Sequence, residues 1–98
     1  MILEAAVFNI KEGTKDDFEN SFQQAQLVIS QANGYLCHQL HNCLENKNKY
    51  LLLVKWQTLE DHMEGFRKSE LFQQWRSIIG PYFDSPPAVE HYELKFNM

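Results

Sequence analysis

His62 stands four residues before Phe66, and Phe72 stands four residues before Arg76. On a helix each pair falls on one face, so an imidazole, a guanidinium and aromatic rings can meet at one place. A histidine there could act as general base, because only imidazole has an ordinary pKa close to neutrality. Arg76 could hold a phenolate or another oxyanion as its charge develops. Phe66 and Trp75 could stack on a flat aromatic substrate, and Trp56 could wall the same pocket. These residue types could remove a proton from a small aromatic or enolisable ligand and hold the resulting anion in a dry pocket. Each residue also has a plainer reading. His62 can be a helix-edge residue without a role, Arg76 can pair with a surface acid, and the aromatic residues have the spacing of core positions.

Other chemistries are not written in the chain. His38 and His41 are three apart and fall on opposite faces of a strand, and with His91 elsewhere no metal-ligand spacing arises. Cys37 and Cys43 on one strand would lie roughly 20 Å apart, too far for a disulfide, and read as free thiols in a reducing compartment. There is no Gly-rich phosphate loop, no Ser-His-Asp pattern, and no flavin or nicotinamide fingerprint. No bound metal or cofactor is expected.

The elements that must position these residues follow from patterning. Ile2 to Ile10 reads as a strand, closed by the turn Lys11-Glu12-Gly13. Thr14, with its capping oxygen and the acids Asp16, Asp17 and Glu19, opens a helix that Phe18, Phe22, Ala25, Val28 and Ile29 carry to about Ala32, where Asn33-Gly34 stops it. Tyr35 to Leu44 and Tyr50 to Trp56 form a hairpin about the polar turn Glu45 to Asn48. Thr58 opens a second helical region with Leu59, Met63 and Phe66, and Ser69 caps a further segment with Leu71, Phe72, Trp75, Ile78 and Ile79. Gly80 to Pro87 is expected to be irregular, and Ala88 to Phe96 a fourth strand. The order β-α-β-β-α-β predicts a ferredoxin-like α+β fold, a four-stranded antiparallel sheet with helices on one face.

The chain has 98 residues, 44% hydrophobic and 22% charged, which suits a single domain spanning 1–98. The formal charge of −4, without a Lys/Arg cluster, argues against nucleic acid and anionic membranes as partners. The N-terminus lacks the basic and apolar regions of a signal peptide, and apolar runs such as Leu51–Val54 are too short to span a bilayer, so a cytoplasmic protein is expected. The strands predict one partner. Tyr50, Leu52, Val54 and Trp56 occupy one face of the third strand and Leu51 and Leu53 the other; Ala6, Phe8 and Ile10 face away from Leu3, Ala5 and Val7. A sheet apolar on both faces, with helices for only one, points to a homodimer joined through the sheets.

The runs Tyr50-Leu-Leu-Leu-Val-Lys-Trp56, Leu59-Glu-Asp-His62, Gly65-Phe-Arg-Lys-Ser69, Phe72-Gln-Gln-Trp75-Arg76 and Val89-Glu-His-Tyr-Glu93, with Lys11-Glu-Gly13, resemble the antibiotic biosynthesis monooxygenase family. The resemblance covers nearly the whole chain and implies a dimeric α+β barrel. Its members include quinol and polyketide monooxygenases, haem degraders and an isomerase, so the fold is implied more narrowly than the activity. At the three positions that serve haem degradation, this chain places Ala6, Phe66 and Arg76; a guanidinium has no lone pair for iron, and Asn9 faces the other side of its strand. Haem degradation is therefore not expected. Quinol-oxidising relatives often carry a histidine where Phe66 stands, and His62 lies one turn earlier on the same face. The expectation is a cofactor-independent monooxygenase for a small aromatic, quinol-like or enolisable metabolite, with His62 and Arg76 as catalytic groups and Phe66, Trp75 and Trp56 as substrate-binding ones. The alternative is a non-catalytic dimer that binds a small ligand or senses stress. An open cavity with polar groups would favour the enzyme; one filled by Phe66, Trp75 and Met63 would favour the module.

Overall fold

The computed structural model describes residues 1–98. Strands β1 (Ile2–Asn9), β2 (Tyr35–Asn42), β3 (Lys49–Trp56) and β4 (Ala88–Tyr92) and helices α1 (Lys15–Ile29) and α2 (Glu70–Ile79) follow the expected order. The sheet is antiparallel throughout, in the order β2-β3-β1-β4, which is the ferredoxin-like arrangement. No helix is long and apolar enough to cross a membrane.

Strand alternation sends Ala6, Phe8, Tyr50, Leu52, Val54 and Trp56 to the inner face, where they are buried with Phe18, Phe22, Ala25 and Ile29 of α1 and Trp75 and Ile79 of α2. Burying each large apolar side chain is worth roughly 1.5–3 kcal/mol, so this layer holds the fold together. The opposite face carries Leu3, Ala5, Val7 and Leu53, half-buried, and Leu51, exposed. Ala5 pairs with Leu53 and Val7 with Leu51, so the apolar positions are contiguous across the two central strands.

Several boundaries differ from expectation for identifiable reasons. The Thr14 hydroxyl does not cap α1; it turns back and donates to the Lys11 carbonyl at 2.6 Å. Helix α1 ends at Ile29 and not Ala32, where Ser30 Oγ and Gln31 Nε2 both donate to the Leu27 carbonyl. Gly34 then turns the chain at φ +80, and a Cβ there would fall 2.1 Å from Asp61 Oδ2. Strand β2 stops at Asn42. Strand β4 stops at Tyr92 and not Phe96, because Tyr92 already pairs with Leu3 near the start of β1 and little strand is left to continue the ladder. Gly80–Pro87 is not wholly irregular: Gly80–Tyr82 forms a 3₁₀ turn, with Pro81 where a missing N–H costs nothing.

The region from Thr58 is not α-helical where it matters most. Thr58 Oγ1 accepts the Asp61 N–H at 3.1 Å; a π-helical turn (Asp61–Gly65) and a 3₁₀ turn (Phe66–Lys68) follow. Ser69 then caps α2, its Oγ accepting the Phe72 N–H at 3.3 Å. The π turn holds His62 buried, and the 3₁₀ turn does the same for Phe66. Such single turns often mark functional positions in helices.

Candidate active site

A cavity of about 880 Å³ opens between the inner face of β1 and β4, the π and 3₁₀ turns, α2, and the segment 80–87. His62, Phe66, Trp75 and Arg76 all line it. Trp56 does not. It is fully buried beneath the floor, its indole stacked on the His62 ring at a centroid distance of 5.1 Å. Met63 is not part of the lining, so the cavity is not filled by the side chains that would have closed it. Phe66 and Trp75 meet edge to face at 6.2 Å and form an aromatic wall. Arg76 lies exposed at the rim and makes no ion pair.

The floor contains a residue that the sequence analysis did not single out. Glu4 is only 5% exposed, on the inner face of β1 among Ala6 and Phe8. Its Oε1 accepts the Trp56 Nε1–H at 2.9 Å and lies 3.3 Å from His62 Nε2. The other ring nitrogen of His62, Nδ1, shares a hydrogen bond of 2.8 Å with His91 Nε2, and His91 stands directly opposite Glu4 in the β1–β4 ladder. One signal for Glu4 was present: a charged residue at an inward position of an apolar strand is costly unless partnered. His91 needed the strand register, which its own position in the sequence does not give. Glu4 and His91 meet opposite nitrogens of the His62 ring, so the three side chains do not converge on a common point, and no group of three or more His, Cys, Asp or Glu side chains is placed to hold a metal ion.

Burial dominates the electrostatics. It pushes the Glu4 carboxyl up to about 6, against the Trp56 hydrogen bond and the Arg67 charge, which pull it down. Burial likewise pulls His62 down to about 4, helped by the positive charge His91 can carry and by Arg67. His91 is also lowered, by burial and then by Arg67. Near neutral pH the floor therefore holds a carboxylate beside a neutral imidazole. A proton arriving on the imidazole would be held 3.3 Å from a carboxylate oxygen, which offsets the cost of burying the new charge.

The two shifts act on stability with opposite sign. Glu4, raised from 4.5 to about 6, contributes stability at low pH that is lost as pH rises through that window. His62, lowered from 6.5 to about 4, contributes stability at high pH that is lost as pH falls through that window. Between about 4.5 and 6 the two offset each other. Glu4→Gln should therefore lose stability toward acid, and His62→Gln toward neutrality, each by up to about 1.4 kcal/mol per pH unit relative to wild type. Urea midpoints between those limits measure this; parallel pH profiles for the two variants would contradict the assignment.

Comparison with known proteins follows the same outline. The sequence profile of the family described as antibiotic biosynthesis monooxygenase matches residues 1–77. The chain is 47% identical over 93 residues to the uncharacterized Bacillus subtilis protein YczJ, covering 95% of this chain and 98% of that one. A Bordetella bronchiseptica protein named for the same family superposes with a TM-score of 0.93 at 36% identity, covering 97% of each chain. SnoaB of Streptomyces nogalater, a cofactor-independent oxygenase, shares the fold with a TM-score of 0.84 at 13% identity, over 99% of this chain and 95% of its own.

Proposed function

The chain belongs to the antibiotic biosynthesis monooxygenase family, and from that membership we propose that it is a cofactor-independent monooxygenase for a small aromatic, quinol-like or enolisable metabolite. The observation that carries this reading is the Glu4–His62 pair, buried at the floor of an open cavity with an aromatic wall and an unpaired arginine at its rim. The shared fold of SnoaB adds support, since it is a framework on which cofactor-independent oxygenation takes place.

The chemistry closes with oxygen as the only co-reactant. For a substrate with an acidic methylene, the floor pair removes one proton and leaves a carbanion delocalised into the ring. The carbanion gives an electron to dioxygen, and the substrate radical and superoxide combine to form a carbon–oxygen bond. The returned proton makes the hydroperoxide. Loss of the second methylene proton with cleavage of the O–O bond gives a ketone and water, so that one oxygen atom enters the product. The Glu4–His62 pair serves as the base, the carboxylate and the imidazole sharing the proton between them. Arg76 stabilises the anion, Phe66 and Trp75 stack on its ring, and Trp56 fixes the floor from beneath.

The functional unit is a homodimer closed over the outer faces of the two sheets, supported by the contiguous apolar positions on β1 and β3. The free thiols of Cys37 and Cys43 suit the reducing cytoplasm. Oxygen uptake, screened over quinols, anthrones and reductones with metal-free protein, tests the activity: uptake with one of these classes supports it, and none with any of them overturns it. Arg76→Ala should weaken binding of a phenolate by about 10-fold and of the corresponding methyl ether little. Equal loss for both ligands, by fluorescence titration, would remove Arg76 from the site.

A further inference from the structure

We infer that Glu4, His62 and His91 form a proton path, entered at Glu4 Oε2 inside the cavity and left at His91 Nδ1 on the edge strand. The inference rests on the monooxygenase reading for the source of the proton, but the path itself is a matter of geometry. It also assigns to Glu4 the first contact with the substrate's proton and makes His62 the link that carries it onward.

The entry atom is identified by elimination. Glu4 Oε1 accepts from Trp56 and faces His62, whereas Oε2 has no protein partner. No fully buried side-chain nitrogen or oxygen in the protein lacks a hydrogen bond, so Oε2 reaches open space, although the Glu4 side chain is only 7% exposed. Glu4 lines the cavity, so the opening of Oε2 is placed there. The same elimination identifies the exit. His91 Nε2 is engaged by His62, His91 Nδ1 has no partner, and His91 is half-buried, so Nδ1 too is open. His91 does not line the cavity, and β4 is an edge strand. The chain of contacts, 3.3 Å and then 2.8 Å, therefore begins in the cavity and ends outside it.

The step is balanced at each atom. The carboxylate gains the substrate's proton at Oε2, and a half-turn about its Cγ–Cδ bond exchanges Oε2 for Oε1 at the Trp56 indole and turns the hydroxyl toward His62 Nε2. His62 takes that proton at Nε2 and gives its own from Nδ1 to His91 Nε2, and His91 releases the proton on its Nδ1 to water. Both rings then hold their protons on Nε2. The reverse passage, in which water protonates His91 Nδ1 and Glu4 gives its proton to the peroxide, restores the starting tautomers and supplies the proton that makes the hydroperoxide. The groups that face this path are the Trp56 indole from β3, which anchors Glu4 Oε1, and the Arg67 charge from the 3₁₀ turn, which disfavours a proton resting on either ring. A path on which no proton rests is suited to conduction.

Two experiments separate the path from the reading it rests on. In protein with ¹⁵N-labelled histidine, a scalar coupling should be seen across the His62 Nδ1–His91 Nε2 hydrogen bond, and Glu4→Gln should lower the titration midpoints of both rings. Absence of the coupling, or midpoints that do not respond, overturns the path whatever the activity. With an anthrone as probe, His91→Ala should slow oxygen uptake by at least about 10-fold in weak buffer, with recovery on adding imidazole. A rate equal to wild type, or a loss that imidazole does not restore, also overturns it. If wild-type protein consumes no oxygen with the anthrone, that arm counts against the reading of its function, and the coupling alone decides the path.

Discussion

His62→Ala is expected to lower turnover by about 10²–10⁴-fold on any substrate the protein oxidises, the range typical of losing a positioned base. The physical basis is its situation: His62 is 3% exposed, stacked on Trp56, and held at one nitrogen by His91 and near the other by Glu4. Such restraint fixes an imidazole in one orientation and offers charge compensation when it takes a proton. Glu4→Gln should produce a loss of similar size, because it removes the carboxylate and leaves an amide of nearly the same shape. The double variant should be little worse than either single one, as expected for groups that act as a unit. Steady-state oxygen uptake with circular dichroism as a control on folding measures all three. Additive losses, or a full rate in either variant with the fold intact, would show that the pair does not act on the substrate.

The second large effect concerns assembly. Leu53→Glu places a carboxylate on the outer face opposite Ala5, at the centre of the apolar positions contributed by β1 and β3. In a two-fold dimer the substitution occurs twice, and each charge would be taken out of water without a partner. The dissociation constant should rise at least about 100-fold, equivalent to about 2.7 kcal/mol. Sedimentation velocity at micromolar concentration should then give the chain mass for the variant and twice that mass for wild type. The inner core lies on the other face of the sheet, so the variant monomer should remain folded. Wild type sedimenting as a monomer would contradict the dimer.

The fold was legible because its signals are local and mutually consistent. Alternation in Tyr50–Trp56, the helical spacing of Phe18, Phe22, Ala25 and Ile29, and Ser69 as a cap each determine one element from nearby residues. The boundaries that failed depend on distant events. Strand β4 ends where β1 has nearly run out of partners, and the Thr14 hydroxyl goes to Lys11 because the turn brings that carbonyl within reach. The site divides in the same way. That His62, Phe66, Trp75 and Arg76 line one cavity follows from local helical faces. Glu4 and His91 come from the two ends of the chain, and only the pairing of β1 with β4 makes them neighbours. Trp56 has a residue type that suits both a pocket wall and the core; its burial behind Glu4 and its indole hydrogen bond give it a supporting place beneath the site.

The central claim is that the floor pair initiates oxygenation without a cofactor. Its most direct test is ¹⁸O₂ labelling with an anthrone as substrate, in metal- and flavin-free wild-type protein and in His62→Ala. Wild type should form the quinone with one ¹⁸O atom per molecule and one water released per oxygen consumed, and the variant should form it about 10²–10⁴-fold more slowly. Quinone formed equally fast by the variant, or carrying no ¹⁸O, would contradict it.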